Sequence, residues 1–276
     1  MTRYHHAQTV ALVLAAGQGT RMNSDLAKVL HPMAGLPLLG HVLGCLEVLG
    51  VGRVLVVIGH QRERVRAAFP DAEVEWVVQA EQRGTGHAVL MAGPALEDFE
   101  GTLLVVCGDT PLLRAGTLHH LLEHHAASGA AVTVLSTRLP DPKGYGRIVR
   151  DLEGGIAAII EDREATPQQK ALDEINSGIY AFQYPALEAV LAGLTTNNAQ
   201  GEYYLTDTVT LLQRAGHKAA VLCAEDHREL LGINTPEQLA EAERIHAALD
   251  PPLPPDAGGA PSGAPGGAPG GAPSGA

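Results

Sequence analysis

The run Leu14-Ala15-Ala16-Gly17-Gln18-Gly19-Thr20-Arg21-Met22 leads through Asn23-Ser24-Asp25-Leu26-Ala27 to Lys28. It follows a short apolar run, Thr9 to Leu14, so a buried strand opens into a loop of small residues. Small side chains let backbone N–H groups approach an anion closely. Arg21 adds a planar fork for phosphate oxygens, and Lys28 a movable point charge. No Gly-Lys-Ser or Gly-Lys-Thr ending is present, so this is not a P-loop. Met22 stands where the dinucleotide fingerprint needs its third glycine. The glycines alone suit a plain strand-to-helix turn equally well. With the two cations added, the local chemistry is that of a nucleoside triphosphate site.

Other groups could complete such a site. Gln79-Ala80-Glu81-Gln82-Arg83-Gly84-Thr85-Gly86-His87-Ala88 offers side-chain amides and a glycine turn, which suit donor–acceptor reading of a base. Alone it also suits a helix cap. Asp109, in Cys107-Gly108-Asp109, ends an apolar run and suits a hard cation such as Mg2+, or a cap for the next helix. Asn234, in Gly232-Ile233-Asn234-Thr235, carries an acceptable hard oxygen and could instead cap a helix. Gly146, Glu161 and Asn176 lie in the second half. A carboxylate and an amide bind sugar hydroxyls readily. Their plainer uses are a close-approach glycine, a solvated strand residue and a turn residue. His120 and His124 stand one helical turn apart, but no third ligand is evident, and a solvated helix face is expected.

Elements must position these groups. Val10–Leu14, Arg53–Ile58, Val74–Val78, Thr102–Cys107 and Ala131–Ser136 read as buried strands. Leu36–Leu49, Arg62–Phe69, Thr85–Ala92 and Ala115–Ala127 read as helices between them. The alternation predicts an α/β fold: a Rossmann-like, mixed, mostly parallel sheet with helices on both faces. Ligands then bind beyond the carboxyl ends of the strands, where the first loop lies. After Pro140 the pattern changes. Gly144–Arg150 and Gly155–Glu161 read as paired strands joined by a turn at Asp151-Leu152-Glu153-Gly154, and Asn176–Phe182 as another strand. Tyr203–Ala215 reads as helix, Lys218–Ala224 as strand, and Pro236–Leu249 as a helix with Thr235 placed to cap it.

Residues 1–249 are expected to form one domain. Residues 250–276 are almost entirely Pro, Gly, Ala and Ser, which reads as a disordered tail. Apolar residues make up 45% of the chain, enough for a sizeable core. A formal net charge of −12 argues against nucleic acid and anionic membrane as partners. No run is apolar and long enough to span a bilayer, and the start of the chain has no signal-peptide core. Cys45, Cys107 and Cys223 show no metal or redox spacing and read as reduced thiols, so a cytoplasmic location is expected.

The first loop resembles that of nucleotidyltransferases joining a sugar 1-phosphate to a nucleoside triphosphate. More closely, the chain resembles the N-terminal uridyltransferase domain of the bacterial bifunctional N-acetylglucosamine-1-phosphate uridyltransferase and glucosamine-1-phosphate acetyltransferase. Gln79 to Ala88 is similar to that family's motif almost letter for letter, and Asn197-Asn198-Ala199-Gln200-Gly201-Glu202-Tyr203-Tyr204-Leu205-Thr206-Asp207 to the segment closing its sugar pocket. The resemblance covers about residues 8 to 249. It implies the nucleotide-diphospho-sugar transferase fold and transfer of UMP from UTP to N-acetylglucosamine 1-phosphate. It also implies binding roles for Leu14, Ala15, Ala16, Gly17, Lys28, Gly108 and Asp109, uracil contacts at Gln79, Gly84 and Thr85, and sugar contacts at Gly146, Glu161 and Asn176. Mg2+ would sit on Asp109 and Asn234, with Arg21 and Lys28 catalytic.

Another sugar 1-phosphate or nucleotide, or a binding protein without turnover, would be the alternatives. Two departures touch the site: Ala27 stands where the family usually has proline, and Cys107 where it often has an aromatic residue. No hexapeptide repeat follows residue 249, so acetyltransferase activity is not expected of this chain. A separate acetyltransferase would then supply the acetylated sugar phosphate.

Overall fold

The computed structural model of the protein describes residues 4–249, so the tail expected over 250–276 lies outside the described residues. Alternation along the first strand sets the architecture. In β1 (His6–Ala15), Val10 and Leu12 enter one apolar cluster, while Ala11, Val13 and Ala15 enter the other. A strand apolar on both faces must be covered on both faces.

The remaining elements follow in chain order. A two-residue hairpin, β2 (Pro32–Met33) and β3 (Leu36–Pro37), leads into α1 (Leu38–Leu49). Then come β4 (Val51–Ile58), α2 (Arg62–Ala68), β5 (Glu75–Val78), α3 (Thr85–Ala92), β6 (Thr102–Cys107) and α4 (Ala115–Ser128). The second half comprises β7 (Val132–Arg138), β8 (Arg147–Arg150), β9 (Ile156–Ile160), α5 (Pro167–Lys170), β10 (Glu174–Gln183), α6 (Tyr184–Leu191), α7 (Asp207–Arg214), β11 (Ala219–Ala224) and α8 (Pro236–Leu249).

The main sheet runs β11-β7-β10-β6-β1-β4-β5, with β8 joined to β10 and β9 to β8. β1 lies at its centre, with Leu12 opposite Leu55 of β4 and Val105 of β6, both parallel. β10 is antiparallel to both β6 and β7, so the sheet is mixed although its first half is wholly parallel. Helices α3, α6 and α7 cover one face through Val89, Leu187 and Val209. Helices α1, α2 and α4 cover the other through Leu46, Val65 and Leu118. A third, smaller cluster joins Met22, Met33, Leu38, Leu112, Ile233 and Ala242. It docks α8 beside the first loop and gives Met22 its use: an apolar anchor one residue from Arg21.

Some boundaries differ from the sequence reading. The helix expected from Tyr203 starts at Asp207, because the preceding backbone bonds elsewhere. Tyr203 N–H donates to Arg83 O (2.8 Å), Tyr203 O accepts from Gly86 N–H (2.8 Å), and Leu205 N–H donates to Thr85 Oγ1 (3.2 Å). The strand expected from Gly144 starts at Arg147, since Gly144 is left-handed (φ +85°) and Tyr145 N–H turns back onto Pro142 O. The helix expected from Leu36 starts at Leu38, because Leu36–Pro37 pairs in the small hairpin. The sequence pattern predicts neither α5 nor α6; α5 is fixed by a capping box between Thr166 and Gln169.

Candidate functional site

The first loop emerges where β1 and β6 end together. Gly108 N–H donates to Leu14 O (3.0 Å), and a Cβ at Gly108 would lie 3.2 Å from Ala15 Cβ. Ala15 and Ala16 are buried, whereas Gly17 is exposed with nothing near its missing Cβ. Gly19 is left-handed (φ +66°), and a Cβ there would stand 2.6 Å from Lys28 Cβ. The loop therefore crosses the Lys28 stem with no room for a side chain. Burying Met22 in the third cluster leaves Arg21 exposed.

Four side chains from distant parts of the chain converge at this point. Lys28 Nζ makes an ion pair with Asp109 Oδ2 and donates to Asn234 Oδ1 (3.0 Å). Arg21 Nη2 donates to the same Asn234 oxygen (2.9 Å). Asn234 Nδ2 donates to Gly232 O (3.2 Å), which aims Oδ1 at the two cations. Ile233 N–H donates to Asp109 O (2.9 Å), tying the strap before α8 to the end of β6. Of the two uses open to Asn234, the structure gives the cap to Thr235, whose Oγ1 accepts from Gln238 N–H (3.3 Å). The Asn234 side chain is thereby free for the site. A carboxylate and an amide oxygen converging on one cationic atom are hard donors that suit Mg2+, with phosphate and water completing its shell.

Gln79 is buried beside this group. Its Nε2 donates to Gly84 O (3.0 Å), and its own carbonyl accepts from Gln82 Nε2 (3.1 Å). Gly84 (φ +101°) packs so that a Cβ would meet Tyr203 O at 2.6 Å. Gly59 is equally confined, with Gln82 Nε2 2.4 Å from its missing Cβ. Thr85 spends its hydroxyl on Leu205 N–H, leaving backbone groups for any base contact. Gly17, Gly19, Arg21, Lys28, Gln79, Gly84, Thr85 and Asn234 line one cleft of about 450 Å³. Two larger clefts, at the far end of β1 and beside α1, contain none of these groups.

The predicted sugar residues form a second group. Asn176 N–H donates to Gly146 O (2.8 Å). The Asn176 side chain is braced, donating to Tyr180 Oη (2.7 Å) and accepting from Gly178 N–H (3.1 Å). Glu161 accepts from Thr206 Oγ1 (3.0 Å), which ties it to the 197–207 segment. Burial pushes the Glu161 carboxyl up; the Thr206 hydroxyl opposes this, while Asp207, Glu164 and Glu202 add to it. Burial and the nearby Asp109 carboxylate push the Cys107 thiol up to about 12, so it stays a neutral packing group.

Three residues here escaped the sequence reading. Tyr145 is half-buried beside Gly146; burial pushes its hydroxyl up, and the Gly232 backbone opposes this. Arg147, only 2% exposed, pairs with Asp162 (3.2 Å) and bonds Leu172 O (3.1 Å) and Tyr145 O. Tyr145 and Arg147 flank Gly146 directly, and only the glycine carries a sequence signal. Tyr180 carried no signal beyond its place in an apolar strand. Among the histidines, His119 pairs with His6 (3.0 Å) and His125 is buried, while His120 is exposed. Among the described residues no group of three or more His, Cys, Asp or Glu could hold a metal ion, and no helix is long and apolar enough to cross a membrane.

A glycine-bearing loop at the carboxyl end of the central strand, with two cations facing a carboxylate and an amide, defines a nucleotide-binding α/β transferase domain. The sequence matches the MobA-like NTP transferase domain over residues 11–175, and the chain belongs to that family. It is similar to the bifunctional protein GlmU of Pelobacter propionicus, at 48% identity over 236 residues, covering 85% of this chain and 51% of that protein. The GlmU proteins of Thermobifida fusca (50% over 242 residues) and Streptomyces griseus (51% over 241) match 85% of this chain and 50% and 49% of theirs. The chain thus spans about half the length of the curated relatives it matches.

Proposed function

We propose that the protein transfers UMP from UTP to N-acetylglucosamine 1-phosphate, releasing pyrophosphate. The observation that carries this is the convergence of Arg21, Lys28, Asp109 and Asn234 above Gly17 and Gly19. The similarity to GlmU and the braced group of Gly146, Glu161 and Asn176 support the sugar side of the reading.

No protein nucleophile is required. The sugar phosphate is already an anion, and its oxygen attacks the α-phosphorus of UTP in line as pyrophosphate leaves. Catalysis is then positioning and charge neutralisation. Asp109 and Asn234 would hold Mg2+, which when bound supplies positive charge to the reacting phosphates. Arg21 neutralises charge on the transferring and leaving phosphates, and Lys28 holds the triphosphate or the sugar phosphate. Backbone groups of Leu14, Ala15, Ala16 and Gly17 take the nucleotide, with Gly108 giving β1 and β6 room to meet. Gln79, Gly84 and Thr85 face the base. The acetylated sugar phosphate would come from acetyl transfer to glucosamine 1-phosphate, and we place the reaction in the cytoplasm.

The test is pyrophosphate release with Mg2+, UTP and N-acetylglucosamine 1-phosphate, run beside glucosamine 1-phosphate, glucose 1-phosphate and the other nucleoside triphosphates. Release mainly with UTP and the acetylated sugar supports the proposal. Release only with another pair overturns the substrate, and none with any pair overturns the activity.

A further inference from the structure

We propose that Gln61 is a positioning residue for Lys28, acting as a clamp on the otherwise exposed stretch that precedes it; this rests on the transferase reading above. Asn23, Ser24 and Asp25 are exposed, and Lys28 follows two residues after Leu26. A flexible four-carbon side chain delivers its charge reliably only from a fixed backbone. That backbone is tied to the turn between β4 and α2. His60 N–H donates to Ala16 O (3.3 Å), fixing where the loop starts. Gln61 fixes where it ends: its Oε1 accepts from Ala27 N–H (3.2 Å), and its Nε2 donates to Asp25 O. Arg64 braces the same amide, with Nη1 3.1 Å from Gln61 Oε1 and 3.5 Å from Asp25 O.

Gln61 is itself left-handed (φ +51°, ψ +34°), a conformation that a residue with a side chain rarely adopts. The strained backbone places its amide on both polar groups of the loop. The Ala27 backbone bears on the same bond from the loop's side. Its backbone (φ −53°, ψ +134°) is one that proline holds without help, yet its N–H is the group Gln61 grips. The loop is therefore held by a hydrogen bond where a ring could hold it covalently. The two devices exclude each other, because a ring Cδ at position 27 would replace that hydrogen and press on Gln61 Oε1.

The experiment combines amide hydrogen exchange, steady-state kinetics and melting temperature for Gln61→Ala, Ala27→Pro and the double variant. Gln61→Ala is expected to speed exchange of the Ala27 amide by tenfold or more while leaving the β1 and β6 amides unchanged. It is expected to lower kcat about tenfold, with a smaller change in KM for UTP, since a displaced Lys28 loses more in the transition state than in the ground state. Ala27→Pro alone is expected to lower kcat through its clash, and the double variant to recover to within about threefold of the unaltered protein. Unchanged exchange at Ala27 in Gln61→Ala, or faster exchange with unchanged kcat, overturns the proposal. If the double variant fails to fold, Gln61→Glu replaces it. That side chain keeps the acceptor for Ala27 N–H and Arg64 and loses the donor to Asp25 O, so its kcat should lie between those of Gln61→Ala and the unaltered protein. A protein without turnover on any substrate pair overturns the transferase reading instead, and exchange at Ala27 still decides the clamp.

Discussion

Lys28 and Asp109, 81 positions apart in the chain, form an ion pair whose side chains are only 16% and 15% exposed. The pair joins the end of the first loop to the end of β6, and both partners serve the proposed reaction. Asp109→Asn keeps the shape but removes the charge that would hold Mg2+. Turnover is expected to fall by about 10²- to 10³-fold and the Mg2+ needed for half-maximal rate to rise. Folding should survive, because Lys28 retains its bond to Asn234 Oδ1. Pyrophosphate release across a Mg2+ series checks this; a variant with ordinary Mg2+ dependence would show that Asp109 is not the ligand.

Arg21 is exposed and meets the protein through Asn234 Oδ1, an acceptor it shares with Lys28. A cation so placed contributes little to folding and is available to phosphate. Arg21→Ala is expected to lower kcat by about 10²-fold while KM for UTP changes severalfold at most. The melting temperature should stay within a degree or two. Unchanged turnover in this variant removes Arg21 from the mechanism.

Glu161 is expected to set a pH dependence at the proposed sugar contact. Burial holds its carboxyl above the ordinary range, with Glu164, Glu202 and Asp207 adding to the effect and Thr206 opposing it. As pH falls, Glu161 therefore takes up a proton before an exposed carboxylate would. A protonated Glu161 has lost acceptor strength for sugar hydroxyls. KM for the sugar phosphate should rise on acidification earlier than KM for UTP, and Glu161→Gln should abolish the difference. The stability effect has the opposite sense: the raised carboxyl is unfavourable when ionised, so its contribution improves as pH falls through the folded-state value. Parallel pH profiles for the two substrates would exclude Glu161 from the sugar contact.

The first loop was legible because its chemistry is written in consecutive residues: small groups for close backbone approach, then Arg21 and Lys28. The parallel half of the sheet was legible for a similar reason, since strands such as β4 and β6 are short and continuously apolar. The insertion of β10 between β6 and β7 was not, because strand direction depends on connections rather than on composition. Neither was the helix start at Asp207, which is set by bonds from Tyr203 and Leu205 to a segment about 120 residues earlier. Composition also gave Met22 only a negative meaning, as a missing glycine. Its packing with Ile233 and Ala242 shows how α8 comes to deliver Asn234 to Lys28.

His125 gives a stability prediction independent of the site. It lies on α4 with 4% exposure, its Nδ1 3.0 Å from Thr133 Oγ1, and burial pushes it down from 6.5 to about 4, with His124 adding to the shift. The folded state thus keeps His125 neutral over a range in which the unfolded chain protonates it. Stability from this residue is complete above 6.5 and is lost as pH falls toward 4. The loss is at most about 3 kcal/mol by linkage, and solvent relaxation makes the measured figure smaller. Denaturant unfolding between these limits should show a declining midpoint. His125→Leu should flatten that decline while lowering stability near neutral pH by about 1 kcal/mol, because Thr133 loses its partner. An unchanged slope in the variant would assign the acid sensitivity to other groups.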